Sequence, residues 1–179
     1  MPDIEFRQSN RSADFIAGID ESESSRRFID RGRILHNLFA AIRTEADMDD
    51  AITRLLFEGI IDADSEADVR SLVQKALAQP QVKEWYSGSW TLFNECDIIW
   101  QENGVLQVRR PDRVMMRDQE IVVVDFKFGK PNKRYASQVQ GYMQLLVRMG
   151  YDPSSIKGYL WYVTEGLITP VESSSKQLI

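Results

Sequence analysis

The residues with the clearest chemical meaning lie close together in the chain. Asp125 ends the apolar, β-branched run Ile121-Val122-Val123-Val124, and Lys127 follows two positions later. A short run of that kind reads as a buried strand. Side chains two positions apart on a strand leave the same face, so the carboxylate and the amine emerge together. Stranding one unpaired ion in a protein interior costs several kcal/mol. An acid and a base ending a buried strand therefore imply a site. Asp112 lies in an earlier strand-like stretch, Val105 to Met116, and a hairpin can bring the two aspartates together. Two carboxylates supply hard oxygen ligands for a divalent cation. A lysine beside them can orient or activate a water and balance the charge of a phosphodiester. The plainer reading is a structural ion pair with Arg110, Arg113 or Lys127, but two acids and a lysine at this spacing favour a metal.

Several elements must position these groups. An apolar face (Phe28, Ile34, Leu35, Leu38, Phe39, Ile42) predicts a helix from about Arg26 to Arg43. A second helix, capped by Asp47 and ended by Gly59, buries Ala51, Ile52, Leu55, Leu56 and Ile60. A third starts at Asp64-Ser65 and stops before Pro80. Residues 89 to 127 read as three strands. Gly129 and Pro131 break the chain, and a helix follows from about Tyr135 to Met149, stopped by Gly150 and Pro153. Ile156 to Val163 is a final strand, with a weaker one at Leu167 to Val171. Residues 1–23 read as an extended or mobile lead-in, and 24–179 as one α/β domain. Its mixed sheet has four or five strands, flanking helices and an N-terminal helical segment.

Composition narrows the class. A chain of 179 residues can bury a real core in one domain. No apolar stretch approaches a membrane span, and the N-terminus has no secretory pattern. The single cysteine, Cys96, excludes an internal disulfide and any four-cysteine zinc or iron–sulfur cluster. A reducing, cytoplasmic setting is the expectation. The net charge of −5 argues against a nucleic-acid partner, but its distribution argues for one. Residues 107–134 hold eight Lys/Arg against four acids, including Arg113, Lys130, Lys133 and Arg134. The positive window coincides with the aspartate–lysine site, so it is read as facing DNA. No phosphate-binding loop is present, so any ATPase must come from elsewhere.

Pro111-Asp112, a spacer and Asp125-Phe126-Lys127 resemble the PD-(D/E)XK nuclease superfamily. Gly32-Arg33-Ile34-Leu35-His36 resembles the Gly-x-x-x-His helix of its RecB-like branch. Asn94-Glu95 after Trp90-Thr91-Leu92-Phe93, and Gln138-Val139-Gln140-Gly141-Tyr142, resemble further pieces in the same order. Val-Asp-Phe-Lys-Phe-Gly-Lys and Gly-Tyr-Leu-Trp-Tyr-Val are similar to the C-terminal nuclease domain of bacterial RecB/AddA-type helicase–nucleases. The resemblance implies a restriction-endonuclease-like core. It also implies Mg²⁺ or Mn²⁺ held by Asp112, Asp125, the Phe126 carbonyl and His36. Taken alone, His36 beside Leu35 and Phe39 reads as a core or half-exposed histidine. Glu95 is implied as a catalytic acid, with Asp97 competing for the role. Gln138 and Tyr142, four apart on one helix face, are implied to hold DNA. The implied activity is exonucleolytic cleavage of single-stranded DNA fed by a helicase, in recombination and double-strand break repair. The chain would then be a domain excised from a longer protein or a stand-alone relative. A DNA-binding module without catalysis, and a phosphodiesterase acting on RNA, are the other classes the residues allow.

Overall fold

The computed structural model describes residues 23–93 and 97–173. The chain begins with a helical layer: α1 (Glu23–Ala41), α2 (Met48–Phe57), α3 (Ala63–Leu77) and α4 (Pro80–Trp85). Strands β1 (Thr91–Leu92), β2 (Ile98–Glu102), β3 (Val105–Arg109), β4 (Arg113–Arg117) and β5 (Glu120–Lys127) follow. Helix α5 (Arg134–Arg148) then leads to β6 (Ile156–Tyr162) and β7 (Leu167–Val171). The main sheet runs β1-β4-β5-β6-β7, and β2–β3 is a separate hairpin. Among the described residues only β5–β6 is a parallel pair; its crossover is α5, as a parallel connection requires. The expected mixed α/β sheet with an N-terminal helical segment is the observed architecture.

Strand parity divides the sheet into two faces. On β5, Val122, Val124 and Phe126 enter a core with Leu35, Leu38, Phe39, Ile52, Trp85 and Trp161 beneath the helical layer. Ile121 and Val123 enter a smaller core with Val139, Tyr142, Met143 and Leu146 of α5. Alternation therefore sends Asp125 and Lys127 to the α5 face. On β4, Met115 faces the helical layer and Val114 faces α5. Arg113 then belongs with Met115, and Asp112 with Val114. Helix α5 lies so close to β6 that a Cβ on Gly158 would stand 2.5 Å from Met143 Sδ and 2.7 Å from Val139 Cγ1. Glycine is required there by space.

Local differences from the sequence reading have simple causes. Asp62 caps α3, accepting from the Ser65 amide at 2.8 Å, ahead of the expected Asp64-Ser65 start. Pro80 opens α4, where its missing N–H costs nothing. The stretch 105–116 is two strands broken at Arg110–Asp112, so the described residues of 89–127 form five strands. The expected lead-in at 1–23 lies, apart from its last residue, outside the described residues.

Candidate active site

The site forms where β4 stops and β5 continues. Arg113 pairs with Val124, so the β4 edge of β5 loses its strand partner beyond that point. The next donor on that edge is the Phe126 N–H. It donates to Asp112 Oδ2 at 2.7 Å, the carboxylate taking the place of a missing strand carbonyl. Lys127 O turns the other way and accepts from Val163 N at 2.9 Å. Strand alternation thus aims the Phe126 carbonyl toward Asp112.

Helix α1 delivers His36. Leu35, Leu38 and Phe39 bury its inner face, leaving His36 half-buried at the rim. The His36 ring stands edge-on to Phe126 at 6.1 Å between centroids. Nε2 lies 2.6 Å from Asp112 Oδ1. Asp125 is 2% exposed, and its Oδ2 lies 2.5 Å from Lys127 Nζ. The Lys127 ammonium is the close partner of that oxygen, although the contact is poorly aligned for a hydrogen bond. Lys127 Nζ donates to Gln138 Oε1 at 3.2 Å and stands 4.4 Å over the Tyr135 ring. Gln138 Nε2 donates to Tyr142 Oη at 3.0 Å, and Tyr142 Oη donates to the Arg110 carbonyl at 3.3 Å. A hydrogen-bonded line therefore runs from the lysine to the base of the β2–β3 hairpin.

The two acids differ in electrostatics. Burial pushes Asp125 up to about 7, and the nearby Asp112 charge pushes the same way. Burial also opposes the Asp112 charge. The His36 hydrogen bond and charge, the Phe126 N–H and Lys127 outweigh it and hold Asp112 below the ordinary carboxylate value. Lys127 is disfavoured by burial, but Asp125 and Asp112 keep it above its usual value. One carboxylate is thus stabilised as an anion, and its neighbour resists ionisation unless further positive charge arrives.

The donors suit a divalent cation in kind: two carboxylates, one with a buried oxygen that meets only the Lys127 ammonium among the described residues, an imidazole nitrogen and a strand carbonyl. Among the described residues no three His, Cys, Asp or Glu side chains are already arranged as a metal cage. His36 lies on Asp112 and Lys127 on Asp125 instead. Bound cations would replace those contacts and let both acids ionise.

The remaining expected residues divide. Glu95 lies outside the described residues. Its rival Asp97 is exposed and accepts from Arg110 Nε at 2.8 Å and Nη2 at 3.2 Å. Lys130, Lys133 and Arg134 are exposed on the β5–α5 connection and the first turn of α5, open to a phosphate backbone. Arg113 is a correction. It was expected to face DNA, but it is 0% exposed and bonded to main-chain carbonyls of the helical layer. Strand parity turns it away from Asp112. Tyr142 is a second correction: at 1% exposed, its ring packs in the α5 core and its hydroxyl is held by Gln138 and Arg110. Gln138 is half-buried, and it grips Lys127. Sequence reasoning missed Tyr135, although Tyr135, Gln138 and Tyr142 follow a 3–4 helical spacing that puts all three on one face.

The family model of the PD-(D/E)XK nuclease superfamily matches residues 11–178. The chain belongs to that superfamily, which makes the α5-side cluster its candidate active site. No curated protein matches the chain. Among the described residues no helix is long and apolar enough to cross a membrane.

Proposed function

We propose that this chain is a metal-dependent DNA nuclease of the RecB-like branch. It would act as an exonuclease on single-stranded DNA delivered by a helicase, in cytoplasmic recombination and double-strand break repair. One observation carries the catalytic part: His36, Asp112, Asp125 and Lys127, spread over 92 sequence positions, converge at one strand end with contacts of 2.5–2.7 Å among them and the Phe126 amide. The RecB-like part rests on the order of the five sequence motifs.

Asp112, Asp125, His36 and the Phe126 carbonyl would hold Mg²⁺ or Mn²⁺. When bound, the cation supplies Lewis-acid polarisation of the phosphate and lowers the pKa of a coordinated water. The protein does the rest. Lys127 would orient the attacking water and balance phosphate charge from beside Asp125, with Gln138 and the Tyr135 face limiting its swing. Asp112, bonded at both oxygens, is the rigid ligand, whereas Asp125 has an oxygen to give. Lys130, Lys133 and Arg134 line the approach with positive charge that contacts phosphates without reading sequence.

The test is cleavage of 5′- and 3′-end-labelled single-stranded DNA, duplex DNA and RNA in Mg²⁺, Mn²⁺ or EDTA. The expected result is metal-dependent trimming of single-stranded DNA from an end, with little processivity. Cleavage in EDTA, or none with either metal, overturns the catalytic reading. Preference for RNA, or internal cuts, overturns the exonuclease assignment and leaves the metal chemistry standing.

A further inference from the structure

We infer that Arg113 is a positioning residue that sets the register of α1 on the sheet and thereby holds His36 against Asp112. This rests on the metal-site reading above.

Arg113 is a buried cation whose partners, among the described residues, include no carboxylate. Nη1 donates to Ile42 O at 3.0 Å, and Nη2 donates to Arg43 O at 2.8 Å and Trp85 O at 2.9 Å. Nε lies 3.3 Å from Met115 Sδ, and the guanidinium carbon sits 3.8 Å over the Tyr86 ring. The Tyr86 hydroxyl donates to Phe39 O at 3.3 Å. The accepting carbonyls belong to the last turn of α1, the two residues after it, and the end of α4. Helix C-termini leave such carbonyls without intrahelical partners, and the end of a helix dipole favours a cation. One planar fork gathers three of them, Ile42, Arg43 and Trp85, and the Tyr86 hydroxyl beneath it takes Phe39.

Stability alone does not explain this device. A well-packed apolar side chain of similar volume is often as good as a buried ion. What the fork adds is position. Arg113 is joined by one peptide bond to Asp112, and the two side chains leave opposite faces. The same point of the backbone therefore carries the acid that meets His36 and the clamp that holds the end of α1. His36 and Ile42 are six residues apart, about 9 Å along a helix. A slip of α1 by ~1 Å along the 2.6 Å His36–Asp112 contact would stretch it to about 3.6 Å, outside normal hydrogen-bond range. The Arg113 bonds resist that slip.

The chain has a single histidine, so its imidazole is a reporter that needs no assignment. The 179-residue protein and its Arg113→Lys, His36→Ala and double variants are compared, with folding checked by circular dichroism. Two readouts are taken: Mn²⁺ affinity by calorimetry and, without metal, the long-range ¹H–¹⁵N spectrum of the imidazole. Arg113→Lys keeps the charge but cannot span three carbonyls in one plane. It is expected to weaken Mn²⁺ binding roughly 10–100-fold, the scale for disturbing a ligand's support, and to shift or broaden the imidazole signals. The double variant should bind no more weakly than His36→Ala alone, because Arg113 acts through that residue. A folded Arg113→Lys protein that melts earlier but keeps wild-type Mn²⁺ affinity and imidazole spectrum overturns the inference and leaves Arg113 a structural clamp. Additive losses in the double variant overturn it too. Wild-type protein that binds no Mn²⁺ sinks the metal-site reading instead, and the metal-free spectrum still decides whether Arg113 places the imidazole. Tyr86→Phe, which removes only the bond to Phe39, gives milder changes in both readouts and decides the matter if Arg113→Lys does not fold. Unchanged readouts in that case count against the inference.

Discussion

The two faces of the central sheet bury charge in opposite ways. Under the helical layer, Arg113 is surrounded by neutral carbonyls and an aromatic ring, and its hydrogen-bonding capacity is largely used. On the α5 face Asp112, Asp125 and Lys127 confront one another, with His36 reaching Asp112 from α1, and one carboxyl is pushed up to about 7. A satisfied buried charge rigidifies a fold, and an unsatisfied one is available to a ligand. The contrast assigns stability to one face and chemistry to the other, although the two faces share the backbone of β4 and β5.

The comparison breaks most readily at Lys127. Lys127→Ala should reduce cleavage by about 10²–10⁴-fold, the range for losing a positioned proton-handling group, while the far-ultraviolet dichroism and the melting temperature change little. Near-normal cleavage in a folded variant would remove the α5 face from the chemistry. Phe39→Ala is the mirror experiment. Phe39 is fully buried against Trp161, Phe126 and Phe128, so its truncation should cost about 3–5 kcal/mol in urea unfolding. Metal-dependent cleavage per folded molecule should survive at low temperature.

A subtler distinction lies in Asp125. Its folded pKa is raised above the value it has in an unfolded chain. Its contribution to stability is therefore fully present below about pH 4 and is lost as pH rises through about 7. Metal-free wild-type protein should lose stability across that window through this group. Asp125→Asn should flatten that part of the profile while abolishing cleavage. Melting curves at pH 5 and pH 8, with and without Mn²⁺, would show it; the same slope in both proteins would mean that Asp125 ionises freely. The smallest effect is expected at the rim. Replacing Lys130, Lys133 and Arg134 with alanine should weaken DNA binding and make its salt dependence shallower, by roughly 0.7 per lost phosphate contact on single strands. Mn²⁺ affinity should not change. Fluorescence anisotropy over a salt series measures the slope, and a steeper slope in the variant would place DNA elsewhere.

Much of the site was legible in the chain because strand alternation is local. Asp125 and Lys127 share a face for the same reason that Val122 and Val124 share the other. The hairpin that carries Asp112 back to Asp125 follows from a two-residue connection, Asp118-Gln119, between paired strands. The helices were legible from their apolar periodicity, with errors at caps and breakers such as Asp62 and Pro80 and at Ile60, which lies past the end of α2 and is exposed. The charge of residues 107–134 was equally legible, but its destination was not. Three of its arginines are engaged by the protein itself: Arg110 by Asp97, Arg117 by Glu84, and Arg113 by the carbonyls just after α1 and at the end of α4.

The sequence alone determined which residues could do chemistry, because residue type and a period of two are properties of the local chain. Tertiary structure decided which of them face one another. Asp112 and Arg113 are neighbours with opposite charges, and nothing local says which turns to the site. That choice depends on where β4 begins against Val124 and on which helix ends lie within reach of the guanidinium. Gln138 and Tyr142 read as a pair aimed at DNA, yet the packing of α5 against β6, permitted by Gly158, buries one and hands the other to Lys127. Such outcomes depend on contacts between residues far apart in sequence.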